Sequence, residues 1–225
     1  MKLSAVYGFL FLTISLCYSQ SKEVNYPDYL DMGIGRILNN SSDWNIIKEA
    51  KGYLNGDKVL DFVLVLQLND PKYAIRDCED CTQGNNSPRM ILILVNNKVV
   101  VQNNKFIARG DEGGMIPYIE PDVSMDNGKL NICWQYTRSH TSYTFEYKKK
   151  DLMLTEAETS SVQSTTGKFE HNRYLFLRGE IISETGHISD EHFKKDVLKI
   201  KLQRLKKLSE LGEMYDWEVV PNFFL

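Results

Sequence analysis

Proline and glycine are scarce in this chain, 6 and 14 among 225 residues, which excludes a collagen-like repeat and a Pro/Gly-rich low-complexity tract. Histidine numbers only four, and none stands in a His-Glu-x-x-His arrangement. No Gly-x-Ser-x-Gly elbow, phosphate-cradling glycine loop or dinucleotide-binding glycine pattern occurs either, so no common catalytic motif speaks. Neither sign of charge dominates: 27 Lys plus Arg face 30 Asp plus Glu, a balance that gives no support to phosphate or nucleic-acid binding. Cysteine numbers four, too few for disulfides to be the main support. Beyond the first residues no second long apolar run follows, which excludes a polytopic membrane protein. What is present is an ordinary globular composition, 42% hydrophobic and 25% charged, enough for one or two folded domains.

The first nineteen residues read as a secretory signal. Met1-Lys2 makes a short basic start and Leu3 to Leu16 an apolar centre of about 14 residues, below the roughly 20 that a spanning helix needs. Cys17-Tyr18-Ser19 puts small residues three and one positions before Gln20, so cleavage is expected between Ser19 and Gln20. Lipidation of Cys17 is the competing reading, but such sites want Gly, Ala or Ser before the cysteine, and Leu16 stands there. Cleavage leaves 206 residues with 26 cations against 30 anions, net −4, and three cysteines, Cys78, Cys81 and Cys133. An odd number in an exported chain permits at most one internal disulfide.

Residues 20–43 form a lead segment with at best one short helix around Tyr29 to Leu38. From Trp44 the pattern becomes that of strands: Trp44–Ala50, Val59–Leu68, Met90–Val95, Val99–Ala108, Lys129–Tyr136, Ser142–Lys148, Leu152–Glu158 and Arg173–Ser183. They are short apolar or alternating runs rich in β-branched residues and bounded by Asn, Gly, Asp and Pro. Asn96-Asn97 and Asn127-Gly128 supply the positive φ of tight hairpin turns. Tyr143, Phe145 and Tyr147 face one way and Thr144, Glu146 and Lys148 the other, so one sheet face is buried and the other wet. The polar stretch Thr159–Gly167 reads as an interruption. The segment 184–225 is expected to be an amphipathic element. Leu202, Leu205, Leu208 and Leu211, with Gly212 as a stop, favour a helix in its second half, while residues 193–203 fit helix and strand alike.

The stretch Gly52-Tyr53-Leu54-Asn55-Gly56-Asp57-Lys58-Val59-Leu60-Asp61-Phe62-Val63 resembles the EF-hand-like calcium loop of FG-GAP and VCBS-type repeats, in which Asp-Leu-Asn-x-Asp-Gly-x-x-Asp runs into a buried strand. Calcium takes six to eight hard oxygens, and acidic or amide side chains at alternate positions point them inward. Asn55, Asp57 and Asp61 match positions 3, 5 and 9. Tyr53 replaces the first Asp and Lys58 the Gly, so the resemblance implies a weakened or lost Ca²⁺ site. Trp44-Asn45-Ile46-Ile47, Gly113-Gly114-Met115, Pro121-Asp122, Gly128-Lys129-Leu130-Asn131-Ile132 and Thr144-Phe145-Glu146-Tyr147 extend the similarity, over about Trp44 to Gly179, to a family of exported bacterial proteins. That resemblance implies fold and location but brings no reaction with it, and FG-GAP and VCBS units elsewhere mostly serve adhesion or ligand binding.

Other candidates are weaker. Cys78-Glu79-Asp80-Cys81 precedes a loop rather than a helix, and its carboxylates raise the thiol pKa, against redox chemistry. Zinc at Cys78, Cys81, Cys133 and His140 lacks a second close pair of ligands. Trp134, Tyr136 and Arg138 are the candidate ligand-binding residues, with the two rings at alternate strand positions as a stacking face, against the ordinary reading in which both rings pack the sheet. Asp111, Glu112 and His140 are the residues a hydrolase reading would use.

The expectation is a mainly β protein with a signal peptide at 1–19, a lead segment at 20–43, an antiparallel meander at 44–183, blade- or sandwich-like, and a C-terminal amphipathic helix within 184–225. It is expected to be exported to the periplasm or outside the cell. A non-enzymatic binding or interaction role is expected, with another exported protein as possible partner, no nucleic acid and no stable membrane span. Its cofactor is none, or Ca²⁺. The alternatives are an inhibitor or immunity-type protein and a secreted hydrolase.

Overall fold

The computed structural model describes residues 24–40, 43–73, 87–109 and 120–225. Two antiparallel sheets account for most of them. The first has four strands in the order β1 (Trp44–Gly52), β2 (Asp61–Leu68), β3 (Arg89–Val95) and β4 (Lys98–Asn103). The second has seven in plain sequence order, β5 (Asp122–Asp126), β6 (Lys129–Gln135), β7 (Ser139–Lys148), β8 (Asp151–Val162), β9 (Lys168–Leu175), β10 (Glu180–His187) and β11 (Lys194–Lys199). A short ribbon of β12 (Glu218–Val220) and β13 (Phe223–Phe224) follows. Neither sheet closes into a barrel. Among the described residues no helix is long and apolar enough to cross a membrane.

Layering explains why β2 and β3 are apolar without alternation. Val63, Val65, Ile91 and Ile93 face the seven-stranded sheet and join Leu130, Ile132, Trp134, Tyr143, Phe145 and Leu154 in one core. Their neighbours Leu64, Leu66, Met90, Leu92 and Leu94 face the other way, into a second core with Tyr29, Trp44 and Ile37. A strand covered on both faces has no polar side to show. Each of these fully buried side chains contributes roughly 1.5–3 kcal/mol relative to its exposed state. Ile37 belongs to α1 (Ile34–Asn40), which is shorter and later than the expected Tyr29–Leu38 helix. Phe106, just past β4, wedges edge-on between the sheets against Trp134, Tyr143 and Phe145, with centroids 5.7, 5.0 and 6.1 Å away. Along one side β1 closes on β5 so tightly that a Cβ on Gly52 would lie 2.7 Å from that of Met125.

The turns follow from backbone chemistry. Asn96 and Asn97 take φ of 52° and 61°, and Asn127 and Gly128 take 50° and 76°, the left-handed values that two-residue hairpin turns require. Lys149 and Lys150, between β7 and β8, do the same at 53° and 63° without a sequence signal for it. The expected strand Arg173–Ser183 is two strands, β9 and β10, parted by a turn at Gly179 with φ of 62°. β8 runs on to Val162 through part of the expected Thr159–Gly167 interruption, and β10 continues past position 184.

The expected C-terminal amphipathic helix does not form. Lys194–Lys199 is the edge strand β11, and the leucines that followed it at helix-like spacing lie on an extended segment with one short 3₁₀ turn, Leu208–Glu210. Leu208 and Leu211 are nonetheless buried in the first core, with Leu202 and Leu205 packed against it. A three-residue apolar period suits an extended left-handed path as well as a helix, and here the sheet supplies backbone partners: Leu154 N donates to Lys206 O at 2.8 Å. Asn103, at the end of β4, fixes this cover. Its Nδ2 donates to Leu208 O at 2.6 Å and Leu211 O at 2.9 Å, while its Oδ1 accepts from Lys105 N and Phe106 N, each at 2.8 Å.

Candidate functional site

On the covered face of the larger sheet, residues alternate inward strand by strand. One row is apolar apart from its phenols: Ile132, Tyr143, Ala157, Tyr174 and Ile181 stand side by side across β6 to β10. The next row, Thr141, Thr159 and Asn172, is polar, and the row beyond it is Ser139, Ser161 and Glu170. No residue of the smaller sheet lines the pocket that these rows floor. The C-terminal segment does, with Tyr215, Asn222 and Phe224, and together they line a half-open pocket of about 200 Å³.

Several contacts give this pocket its character. Thr141 Oγ1 and Tyr215 OH lie 2.7 Å apart in a hydrogen bond that pins the cover to the floor. Tyr174 OH donates to Phe224 O at 3.3 Å. Burial, foremost, pushes the Tyr174 phenol up to about 12, against a lowering hydrogen bond with Thr159. Asn172, 6% exposed, donates from Nδ2 to Glu170 Oε1 at 2.7 Å, and its Oδ1 is buried without a partner. That amide cannot be turned round, because a carboxylate accepts and only the NH₂ end can donate to it. One row inward, Tyr143 OH is buried without a partner too, and burial with the nearby Tyr215, Tyr174 and Tyr136 pushes its pKa up. Two of the cover residues hold left-handed backbone, Asn222 at φ 71°, which asparagine tolerates, and Tyr215 at φ 68°, an unusual conformation for a bulky tyrosine.

Among the described residues the lining includes no lysine, arginine, histidine or cysteine, and Glu170 is its one formal charge. Hydroxyls, two amides (Asn172 and Asn222) and three aromatic rings make up the rest, groups suited to reversible recognition.

The residues expected to bind ligand lie beside this pocket. Trp134 is opposite Thr141 in the strand register, but its ring has no exposed surface and stands edge-on to Phe106 and Tyr143. It packs the core and offers no stacking face. Tyr136 is half-buried, and burial raises its phenol. Arg138 is exposed, and its backbone O accepts from Val162 N at 2.9 Å. Sequence reading missed Asn172, Thr159 and Tyr215; the alternating hydroxyls Ser139/Thr141 and Thr159/Ser161 on neighbouring strands were the available signal.

The calcium-like loop keeps its form through amide donors. Asp61 is fully buried, with Oδ2 accepting from Leu54 N at 2.7 Å and Oδ1 from Asn96 N at 3.1 Å. Asp57 Oδ1 accepts from Val59 N at 2.7 Å and its Oδ2 from Asn55 Nδ2 at 2.5 Å, while Asn55 Oδ1 accepts from Asp57 N at 3.1 Å. All five side-chain oxygens thus face N–H groups, and this donor set does not fit a calcium ion, which needs at least six oxygens turned toward it. Gly56, at φ 77°, makes the sharp turn that Lys58 does not.

Cys133 is a free, half-buried thiol whose pKa is pushed up by burial and by Asp122. His140 Nδ1 lies 3.1 Å from Gln135 Oε1. Cys78, Cys81, Asp111 and Glu112 lie outside the described residues. Among the described residues no group of three His, Cys, Asp or Glu side chains is placed to hold a metal ion. Comparison of the chain with protein-family models, with curated proteins and with solved structures finds no match.

Proposed function

We propose that this is an exported, non-catalytic binding protein whose ligand enters the pocket between β7, β8, β9 and the C-terminal cover. The observation that carries the reading is the half-open pocket itself, about 200 Å³, where the C-terminal segment crosses a polar stretch of β7, β8 and β9. Its lining mixes hydroxyls, two amides, one carboxylate and three aromatic rings, the combination of a few polar groups with apolar surface that small-molecule sites use. The left-handed Tyr215 on the cover points the same way, since strain persists where surrounding contacts over-determine it. A cavity of about 200 Å³ is below the roughly 300–1,000 Å³ of pockets for drug-sized molecules, so the ligand, or the part of it that enters, is small.

A thermal-shift screen of small polar metabolites against the purified protein tests this. A hit should raise the melting temperature of the native protein and not that of Asn172→Leu. Hits that stabilise both equally would refute the pocket as the site. Export rests on the leader at 1–19, and amino-terminal sequencing of the protein recovered from the cell envelope should begin at Gln20.

The inhibitor-type reading draws on one feature, the edge strand β11. All its residues are exposed, including Val197 at 54% and Leu198 at 42%. An unpaired strand edge with apolar side chains can extend into a partner's sheet. A specific partner lost on Val197→Glu but kept on Asn172→Leu would favour that role over ligand binding.

A further inference from the structure

We infer that the end of the molecule opposite the pocket docks on a negatively charged lipid surface, through three exposed apolar side chains, Tyr53, Val59 and Leu60, set among lysines. The inference stands apart from the pocket reading and gives the protein a second surface.

Four hairpin turns meet at that end. The loop between β1 and β2 is tied to the turn between β3 and β4 by Asp61, whose carboxylate accepts from both Leu54 N and Asn96 N. Gly128, in the turn between β5 and β6, comes so close that a Cβ there would lie 3.9 Å from Tyr53 O and from Leu54 O. Tyr147, two positions before the Lys149-Lys150 turn, packs against the core that holds Leu54, and its phenol feels the charge of Asp61. The loop is held rigid from within: Leu54 and Asp61 are buried, and Asp57 and Asn55 bond its own N–H groups. Tyr53, Val59 and Leu60 nevertheless stand 53%, 48% and 38% exposed on it.

The charges around these side chains choose the occupant. Lys58, Lys149 and Lys150 are exposed at the turns themselves, and Lys98 is exposed just past Asn96-Asn97. The acids of this end are engaged: Asp57 with Val59 N and Asn55 Nδ2, Asp126 with Asn127 Nδ2, and Glu146 with Lys129 and Lys148. A chain of net charge −3 thus gathers cations about its apolar tip. Protein interfaces disfavour lysine, and three apolar side chains on hairpin tips fall short of the roughly 1,000 Å² that a specific protein contact buries. At a bilayer the same set is sufficient, because shallow apolar insertion and attraction to anionic headgroups act together, with a tyrosine at the depth it prefers. The ten residues of β7 run from Ser139 in the pocket lining to Lys148, about 30 Å at the usual strand rise, so docking leaves the pocket open to solution.

Co-sedimentation of the full mature protein at low salt tests this, with vesicles of phosphatidylglycerol and phosphatidylcholine in about equal parts and with vesicles of phosphatidylcholine alone. The protein should pellet with the first and stay in solution with the second. Lys149→Asn with Lys150→Asn removes two charges and suits the left-handed φ of 53° and 63° better than lysine does, so it should fold at least as well. It should weaken binding to the anionic vesicles at least about tenfold. Val59→Ser with Leu60→Ser changes only exposed side chains and should weaken it at least about fivefold. Binding that survives either double variant unchanged, or equal binding to both kinds of vesicle, would overturn the inference. Absence of binding to the anionic vesicles would overturn it too, and a soluble envelope protein or a second copy held by the native chain but lost on Val59→Ser with Leu60→Ser would then assign the tip to a protein contact.

Discussion

Replacing Asn103 should be among the most damaging changes available in this protein, although no part of Asn103 touches the pocket. Its side chain is 5% exposed and makes four hydrogen bonds, two accepted from the turn after β4 and two donated to the carbonyls of Leu208 and Leu211. Asn103→Ala leaves two N–H groups and two C=O groups facing one small void. A buried polar group without a partner costs about 1–3 kcal/mol, and if local relaxation rescues half of them the net loss is about 3–5 kcal/mol. For a chain of this size that lowers the melting temperature by roughly 6–20 °C. Urea unfolding followed by tryptophan fluorescence measures it directly. Asn103→Asp sharpens the test, because it keeps both acceptors and turns a carboxylate oxygen toward two carbonyls. The introduced carboxyl should titrate above its unfolded value of about 3.9, so its protonated form is favoured in the folded state. A raised folded pKa contributes stability at low pH that is lost as pH rises through it, so the deficit of this variant relative to the native protein should shrink on acidification. A cost below about 1 kcal/mol for Asn103→Ala would refute the claim that this side chain holds the cover in place.

Three further outcomes are expected. The carboxyls of Glu146, Glu180, Glu184 and Glu210 are held below their ordinary range, first by hydrogen bonds from Lys148, Lys199, Lys195 and Arg204 respectively. Their contribution is therefore present above the ordinary value of about 4.3 and lost as pH falls through the depressed ones; because these pairs are exposed, the urea midpoint should drop only modestly between about pH 6 and about pH 3.5, and less in high salt. Gly179→Ala combines a left-handed φ of 62° with a Cβ that would lie 2.9 Å from Ile200 O, and it should cost about 1–3 kcal/mol by chemical denaturation; a neutral result would mean that this turn relaxes freely. Tyr143→Phe removes a buried hydroxyl that has no partner and keeps the ring, so stability should stay equal or rise by up to about 1 kcal/mol, and a comparable loss would mean the hydroxyl is bonded after all.

The strands that a reader of the sequence finds easily are those whose reason for existing is local. Phe62 to Leu66 and Met90 to Val95 are continuous apolar runs, and Asn96-Asn97 and Asn127-Gly128 are turn dipeptides that tolerate positive φ. Lys149-Lys150 makes the same turn and leaves no such trace, because the lysines are held there by the pairing of β7 with β8 rather than by their own preference. The leucines from 202 to 211 misled through their spacing: the period records which residues meet the core, and the sheet and Asn103 decide how the backbone between them runs. The pocket was illegible for a related reason. Thr141, Thr159 and Asn172 are 18 and 13 positions apart, and only the register of β7 with β8 and of β8 with β9 sets them in one row. Trp134 was singled out for its chemistry, and its chemistry is spent on Phe106 and Tyr143.

The plain succession of β5 to β11, each paired with its chain neighbour, has a kinetic consequence. Hairpin by hairpin, the sheet can zip up behind a growing chain with little loop closure to wait for. The cover is different in kind: Thr141 meets Tyr215 across 74 positions, and Asn103 meets Leu208 and Leu211 across 105 and 108. Those contacts form only after every strand of the sheet has been made. The pocket therefore takes shape only once the segment carrying Tyr215, Asn222 and Phe224 has docked on a sheet already built.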